Sequence, residues 1–437
     1  MVPVWPTHDV FGMSARQDGP SYVDRGALDA KLEYWLHAKR HVVIHGDSKQ
    51  GKTWLRERKL SSDRTLFVQC LHDSTVQSIF SEALGQLGVE LLTKSTNSNT
   101  LGGELDLTMA GEVGTAVIAK ARAEGKIRGK SDNQSSFEAT PVGRTPADLS
   151  WVSATLQESK KFVVLEDFHY LAEEVQQAFS HIMKALLGYG VALVVTGVWT
   201  EPNLLTYFNG DLNGRVENIH LAWSDSELRE VIGLGTGALR VTFGADIVEG
   251  IVSDAFGNVG ILQRVAEQLC LLSQVYETKR AIFNIEGASI LDSARRAVAS
   301  SMSGRFFNFA DNFSRGLQRS KEGGTPYRLI LEAFLSADDR SLLKGLTVDE
   351  IVTRLQGLGY DLPRSSLRGA LNRIGQLQAK MKITPIVLVY DRTQKRLILV
   401  DRSLLFYRKY TADPWPWEEI DEELSTPADS SHDLRQD

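Results

Sequence analysis

Four residues near the N-terminus have the types and the spacing that bind a polyphosphate. Gly46, Gly51, Lys52 and Thr53 form the pattern G-x-x-x-x-G-K-T directly after the apolar run His41–His45. A loop that wraps phosphates turns its backbone N–H groups inward, and glycine reaches the φ angles this requires without strain. Lys52 is then expected to reach the β- and γ-phosphates, and the Thr53 hydroxyl to ligate Mg²⁺ at a helix N-terminus. The pattern predicts a nucleotide-binding loop.

Two adjacent carboxylates, Glu166 and Asp167, end an apolar run that is typical of a central parallel strand. The carboxyl ends of such strands meet at the edge of the sheet where ligands bind. Nucleotide hydrolysis needs one acid near Mg²⁺ and one that orients the attacking water, and this pair can supply both. The alternative is a strand followed by an ordinary acidic helix cap. Thr196 ends a later buried strand, and it is expected either to contact the γ-phosphate or the water, or to be structural.

Composition limits the class of protein. The 437 residues exceed one core, so two or three domains are expected. No apolar run approaches the length that spans a bilayer, and no signal-peptide pattern is present. Two cysteines, Cys70 and Cys270, fit the reducing cytoplasm. The net charge of −6 argues against a uniformly basic nucleic-acid-binding protein, although it allows a local basic face.

The order of patterns along the chain predicts an α/β fold followed by helical modules. Strands that alternate with helices indicate a parallel sheet with helices on both faces. The predicted segments are a flexible arm (1–21), a P-loop core (22–223) with an insertion (about 93–150), a helical lid (224–300), a connector (301–324), a winged helix (325–412) and an acidic tail (413–437). The insertion has few large apolar residues, and residues 104–126 fit a β-hairpin or a helix equally well.

The winged helix is predicted from three helices at residues 327–334, 347–356 and 364–381, followed by an alternating hairpin. Its third helix and wing carry basic side chains that suit the backbone phosphates of a DNA duplex. The nucleic-acid candidates are Arg364, Arg368, Arg373, Lys395 and Arg396. Winged helices also serve as protein-packing modules, so both alternatives stay open.

The loop, the VVLEDFH strand, the strand end at Thr196 and a turn-rich loop with Arg215 occur in one order. Together they resemble the additional-strand P-loop ATPases, which include AAA+ proteins and the STAND signalling ATPases. A helical lid and a winged helix follow, as in origin-recognition-type initiators. The resemblance covers residues 22–410.

The resemblance implies ATP and Mg²⁺ as cofactors and ATP hydrolysis as the activity. It implies that Thr53 and Glu166 hold the metal, that Thr196 is the first sensor, and that Arg215 is an arginine finger that reaches a neighbouring subunit. Arg264 is the candidate second sensor, although Gly260 lies closer to the usual position. The family more often has Asp before Glu, so the reversed pair predicts slow hydrolysis. The nucleotide-binding set is Gly46, Asp47, Ser48, Lys49, Gln50, Gly51, Lys52, Thr53, Trp54 and Arg264.

These features predict a cytoplasmic, homo-oligomeric, nucleotide-dependent switch that passes its state to a separate effector protein. Its expected setting is a DNA transaction or anti-phage defence, with double-stranded DNA as a possible partner and no membrane. One alternative is a DNA-binding initiator or transposition regulator that uses its winged helix. Another is a scaffold that binds nucleotide without hydrolysing it.

Overall fold

The computed structural model describes residues 3–12, 19–89, 144–199, 204–316 and 325–418. Most of the predicted insertion and acidic tail therefore lies outside the described residues. The chain forms two compact units. The sheet unit is Asp24–Gly46 with Gly51–Leu221, and the helical unit is Met1–Val23 with Asp47–Gln50 and Ala222–Asp437. The loop predicted to bind phosphate thus contributes residues to both units.

The sheet unit is built on five parallel strands in the order β2-β3-β4-β1-β5. The strands are β1 (His41–His45), β2 (Thr65–Gln69), β3 (Phe162–Glu166), β4 (Leu193–Gly197) and β5 (Val216–His220). The helices are α2 (Ala27–His37), α3 (Lys52–Lys59), α4 (Val76–Gly85), α5 (Leu149–Ser159), α6 (Glu173–Gly188) and α7 (Leu204–Phe208). Strand β4 pairs with both β1 and β3, so it is the additional strand between the loop strand and the acidic strand.

Alternation along β1 sends its side chains to two apolar cores. Val43 packs with Phe80 of α4 and Phe179 of α6 on one face. Ile44 packs with Leu32 of α2 and Leu55 of α3 on the other. Because both faces are covered by helices, the strand is buried along its whole length. The predicted α/β fold with helices on both faces is confirmed.

Gly46 turns the chain from β1 into the loop predicted to bind phosphate. Its φ is 147°, and a Cβ at this position would lie 2.5 Å from the carbonyl oxygen of Leu221. Glycine is therefore required both for the conformation and for the close approach of Leu221, the residue directly after β5.

The helical unit begins with α1 (Thr7–Phe11) and continues through α8 (Asp225–Leu239), β6 (Val241–Phe243), α9 (Ala245–Asp254), α10 (Val259–Leu272), β7 (Phe283–Ile285), α11 (Ala288–Ser300) and α12 (Ser303–Arg315). Residues 224–300 were expected to be helical throughout, and this was wrong for β6 and β7, which pair in parallel. Arg240 ends α8 with a left-handed φ of 55°, and the β-branched and aromatic residues that follow favour a strand. A three-residue strand is too short to show a period in the sequence.

Residues 7–11 differ from the flexible arm predicted for residues 1–21. Val10 and Phe11 are fully buried in the core of the helical unit. The Phe11 ring fits because position 235 is glycine, where a Cβ would lie 2.4 Å from the ring. The Thr7 hydroxyl also donates to the carbonyl oxygen of Val275 at 2.8 Å. Two apolar side chains in a short polar segment were enough to fix it to the core.

The C-terminal part of the helical unit has the predicted winged-helix arrangement. Its helices are α13 (Pro326–Leu335), α14 (Asp339–Lys344), α15 (Val348–Gly357), α16 (Arg364–Asn372), α17 (Ile374–Lys380) and α18 (Ser403–Tyr410). The strands β8 (Leu346–Thr347), β9 (Leu388–Asp391) and β10 (Arg396–Leu399) form one sheet in the order β8-β10-β9.

The third helix of this module was predicted as one element and is instead two, α16 and α17, divided at Arg373. The division lets buried Gln378 bond to the wing strand, where it accepts from the Val387 N–H at 2.9 Å and donates to the Leu388 oxygen at 2.6 Å. Lid, connector and winged helix lie in one compact unit, so the boundaries predicted between them stay predictions. No helix in the described ranges is long and apolar enough to cross a membrane.

Candidate functional site

The carboxyl edge of the sheet brings together six of the residues that the sequence singled out. The Thr53 hydroxyl donates to Glu166 Oε1 at 2.9 Å, which joins the start of α3 to the end of β3. The Asp167 N–H donates to Thr196 Oγ1 at 3.3 Å, which joins the end of β3 to the end of β4. Lys52 Nζ donates to the Gly46 oxygen at 3.2 Å across the base of the loop. The strand order places these groups on adjacent strands, as a nucleotide site requires.

A groove of about 550 Å³ lies beside this edge, and Thr53, Arg56, Glu166 and Asp167 are among the residues that line it. Asp167 adopts a left-handed conformation with φ of 55° directly after the strand. Its carboxylate accepts from Gln69 Nε2 at 3.0 Å, so the side chain is held by the neighbouring strand β2. The two acids thus have different partners: Glu166 is bonded to α3, whereas Asp167 is bonded to β2.

Glu166 has a cationic partner that the motif does not include. Arg56 Nε lies 3.2 Å from Glu166 Oε2, and the two side chains are 7% and 9% exposed. Arg56 follows Lys52 by one helical turn, which is the only sequence signal that could have indicated this contact. The guanidinium is thus the counter-charge of a buried carboxylate beside the groove, where an unpaired charge would be costly.

The oxygen atoms of Thr53 and Glu166 fit a Mg²⁺ ion. Both are hard donors, and their hydrogen bond places them next to each other at a helix N-terminus. In the described ranges, no group of three or more His, Cys, Asp or Glu side chains is arranged to hold a metal. Mg²⁺ usually keeps several waters and takes further ligands from substrate phosphates, so two protein ligands suit it. There the ion would neutralise charge on the phosphates.

The tip of the loop, residues 47–50, is bonded within the helical unit. Asp47 Oδ2 accepts from Arg402 Nε at 2.6 Å, and the Ser48 N–H donates to the Val400 oxygen at 2.9 Å. The Ser48 oxygen in turn accepts from Asn258 Nδ2 at 2.8 Å. Helix α10 and the segment that leads into α18 therefore contact the same short stretch of loop.

The next two loop residues are held in the same way. Gln50 Nε2 donates to the Gly257 oxygen at 3.0 Å, and the main-chain oxygen of Gln50 accepts from Trp223 Nε1 at 3.0 Å. Lys49 Nζ lies 3.4 Å from Ser403 Oγ. Burial lowers the pKa of Lys49, and the nearby Asp401 carboxylate opposes that change. Residues 47–50 are thus bonded to other segments of the helical unit through both side-chain and main-chain groups, which the motif alone did not predict.

Gly260 lies close to the position expected for the second-sensor arginine, and its contacts explain why a larger side chain is absent there. Its N–H donates to the Lys49 oxygen at 3.3 Å, and a Cβ here would lie 2.8 Å from Lys49 Cβ. A long side chain at this position would displace the loop tip. Arg264, one turn later, donates to Ser301 Oγ at 2.5 Å, and burial lowers its pKa. Its charge also lowers the pKa of Lys49, so it lies near the loop.

Arg215 and Trp54 stand apart from the cluster of acids. Arg215 is exposed directly before β5, and its guanidinium donates to the Asp211 oxygen. Its main-chain oxygen accepts from the His41 N–H at 3.2 Å, which fixes its position relative to β1. Trp54 is half-buried on α3. The roles proposed for both residues stay predictions.

The basic residues of the winged helix divide into two groups. Arg364 pairs with Asp349 at 2.6 Å. Arg396 donates to the Gly345 oxygen at 2.7 Å and lies 3.7 Å from Glu350. Arg368, Arg373 and Lys395 are exposed and have no carboxylate partner among the described residues, although Arg373 Nε donates to the Gly369 oxygen at 3.1 Å. The second group is therefore better placed than the first to meet an outside anion.

Three histidines with buried rings in the sheet unit were not singled out by the sequence. Burial lowers the pKa of His41 and of His45 to about 4, and that of His169 to about 3. His41 is fully bonded: Nε2 donates to the Met183 oxygen at 2.8 Å, and Nδ1 accepts from the Leu193 N–H at 3.0 Å. All three rings are therefore neutral near pH 7.

No family model matches the sequence of this chain, and no curated protein matches it. Its structure is similar to that of a Walker-type ATPase of Pyrococcus abyssi, with a TM-score of 0.53 and 13% identity over 92% of this chain and 99% of that one. Lower TM-scores relate it to the Aeropyrum pernix ORC1 protein in complex with DNA (0.44, 11% identity, 95% and 98% covered). The Thermotoga maritima RuvB Holliday junction branch migration motor is also similar (0.38, 13% identity, 90% and 96% covered).

The phosphate-binding loop, the inserted strand β4 and the acids that end β3 agree with the first of these similarities. The chain therefore has the α/β P-loop fold that its sequence motifs predicted, a parallel sheet with helices on both faces.

Proposed function

We propose that this chain is an ATP- and Mg²⁺-binding ATPase of the AAA+/STAND kind that works as an oligomeric, nucleotide-dependent switch. The observation that carries the proposal is the division of one loop. Lys52 and Thr53 lie at the carboxyl edge of the sheet, whereas residues 47–50 are bonded to α10 and to the segment before α18 in the helical unit. A phosphate bound by this loop would change the contacts of residues 47–50 as well as those of Lys52 and Thr53.

The sheet edge supplies the groups that ATP binding needs. The N-terminus of α3 and its Lys52 favour a polyphosphate, and Thr53 with Glu166 favours Mg²⁺. Asp167 is the proposed base that orients the attacking water. Its short side chain is already bonded to Gln69 at 3.0 Å. Both features favour slow turnover, which suits a switch whose state must persist.

Asp167 gives the most direct test of hydrolysis. Asp167→Asn keeps the size of the side chain and removes the charge that would orient water. We expect phosphate release to fall at least tenfold while ATP affinity stays within threefold. Asp73→Asn is the control, because Asp73 is an exposed acid on the same unit. Equal loss of phosphate release in both variants would contradict the assignment of Asp167.

Arg215 is the residue that is proposed to link neighbouring copies in an oligomer. In this proposal the exposed guanidinium completes the site of a neighbouring copy, so Arg215→Ala keeps ATP affinity and lowers turnover. The loss should appear only at protein concentrations at which wild-type specific activity rises. A variant with wild-type activity at every concentration would remove the trans-acting finger from the proposal. The output is proposed to pass to a separate effector, in DNA transactions or anti-phage defence.

A second candidate function is ATP-dependent DNA binding by the winged helix, and the exposure of Arg368, Arg373 and Lys395 favours it. Removal of two phosphate contacts by Arg368→Gln with Arg373→Gln should weaken duplex binding and lower its salt dependence. Duplex binding that is unaffected by both changes would exclude this use of the module. A scaffold that binds ATP without releasing phosphate is the third alternative, and the Asp167 assay separates it from the first.

A further inference from the structure

The ring of His169 has one nitrogen that is used and one that is not. Nδ1 lies 3.2 Å from the Val198 N–H, two residues beyond Thr196. The ring is 6% exposed, and Nε2 is buried without a hydrogen-bond partner among the described residues. A buried polar atom without a partner is rare enough in folded proteins to need an explanation.

The bond from Val198 decides which nitrogen carries the proton. A backbone N–H can only donate, so Nδ1 must be the acceptor, and the neutral ring then carries its proton on Nε2. The Asp167 carboxylate is 4.0 Å from Nδ1, too far to compete for a hydrogen bond. Burial, with the positive charge of Lys52 added, lowers the pKa of His169 to about 3. His169 therefore holds a fixed N–H donor that stays neutral at physiological pH.

His45 makes the opposite arrangement, which shows that burial alone does not create such a donor. Its Nδ1 faces the Trp199 oxygen at 3.2 Å, so this nitrogen carries the proton and Nε2 presents a lone pair. That lone pair would repel a phosphate oxygen. Of these two rings near Lys52, only that of His169 can donate to an anion.

We infer that His169 Nε2–H binds the terminal phosphate of the nucleoside triphosphate and so distinguishes the triphosphate from the diphosphate. This inference rests on the proposed function, since it needs a nucleotide at the loop. His169 follows the acidic pair, is fastened to the end of β4 beside Thr196, and lies close enough to Lys52 for their charges to interact. These are the groups proposed to face the γ-phosphate rather than the adenosine. A neutral donor adds a hydrogen bond there without adding another charge.

Two substitutions separate binding from structure. In His169→Asn the amide oxygen can still accept from the Val198 N–H, and the distal donor is removed. In His169→Gln an amide N–H is restored near the position of Nε2. Calorimetry with Mg²⁺ would measure affinity for ADP and for a non-hydrolysable ATP analogue. We expect the ratio of the two affinities to fall about tenfold in His169→Asn and to return to within about threefold of wild type in His169→Gln.

The controls distinguish this inference from the function on which it rests. His72→Asn changes an exposed histidine of the same unit and should keep the wild-type ratio. If His169→Asn also keeps that ratio, His169 only fastens the turn and the inference is wrong, although nucleotide binding stands. If wild-type protein binds neither nucleotide, the proposed function itself fails.

A measurement on the wild-type protein avoids any doubt about folding of the variants. Long-range ¹H–¹⁵N spectra of histidine-labelled protein report the tautomer of each ring. We expect His169 to carry its proton on Nε2, with a signal that moves on addition of the ATP analogue and much less with ADP. A proton on Nδ1, or equal responses to both nucleotides, would overturn the inference.

Discussion

The residue that changes the chemistry of this site most, relative to the motif alone, is Arg56. It places a guanidinium 3.2 Å from the carboxylate proposed to hold Mg²⁺. The same guanidinium lies over the Phe67 ring at 5.2 Å and contacts Glu57 at 3.0 Å, so its position is fixed from several sides. Before a metal binds, Arg56 is the counterion of Glu166. A bound Mg²⁺ would share that carboxylate or displace the guanidinium from it.

We predict that Arg56→Gln makes stability depend on Mg²⁺·nucleotide. Loss of one partner from a buried ion pair costs about 3–5 kcal/mol, because the other charge is left uncompensated. The melting temperature without ligand should fall, and the rise caused by Mg²⁺ with an ATP analogue should exceed that of wild type. Differential scanning fluorimetry measures both, with exposed Arg58→Gln on the same helix as control. An equal ligand-induced rise in wild type and Arg56→Gln would contradict the counterion role.

At the scale of elements, β1 is held to its neighbour β4 and to helix α6 by the ring of His41. Its bonds to Met183 and Leu193 are possible only in the neutral tautomer with the proton on Nε2. Burial lowers its pKa from 6.5 to about 4, so the unfolded chain binds a proton more readily than the folded one. The free energy of unfolding therefore falls as the pH drops from about 6.5 toward 4.

We predict a measurable share of this acid sensitivity from His41 alone. By linkage, one such ring contributes about 2 kcal/mol to the difference in unfolding free energy between pH 7 and pH 5. His41→Gln retains an amide donor and acceptor and cannot titrate, so that difference should shrink. Urea unfolding at the two pH values measures the effect, with His72→Gln as the exposed control. An unchanged pH dependence in His41→Gln would show that the ring is not the source.

Local signals made the elements predictable. The phosphate-binding loop, the acids that end β3 and the capping boxes Ser224–Glu227 and Thr347–Glu350 are each encoded within a few residues, and the structure contains all of them. Contacts between distant segments were not predictable in this way. Lys49 and Ser403 are 354 positions apart, and nothing in either neighbourhood specifies the other. The tautomer of His169 likewise depends on one backbone N–H of another strand end.

At the scale of the whole molecule, the proposed response of the winged-helix module to nucleotide depends on how the loop tip is bonded within the helical unit. Arg402 carries one of these contacts, an ion pair with Asp47 at 2.6 Å, and it also donates to the Phe256 oxygen at 2.6 Å. One side chain thus joins the loop, the turn before α10 and the start of α18. It is the residue whose removal should separate nucleotide binding from the response of the winged-helix module.

We predict that Arg402→Gln uncouples the two events. In wild type, an ATP analogue should change amide hydrogen exchange in β9, β10 and α18. In the variant at least half of that change should be lost, while nucleotide affinity stays within about threefold. Arg340→Gln, an exposed arginine of α14, is the matched control. Retention of the full exchange response in Arg402→Gln would mean that the signal does not pass through this contact.

Every role proposed for these residues requires that the loop at residues 46–53 bind a nucleoside triphosphate with Mg²⁺, and titration calorimetry measures that binding. We predict saturable binding of an ATP analogue to wild-type protein in the presence of Mg²⁺. Lys52→Ala should abolish it, and Lys59→Ala, at the other end of the same helix, should leave it unchanged. If the folded wild-type protein took up no adenine nucleotide, or if Lys52→Ala bound it as well as wild type, residues 46–53 would not be a nucleotide-binding loop.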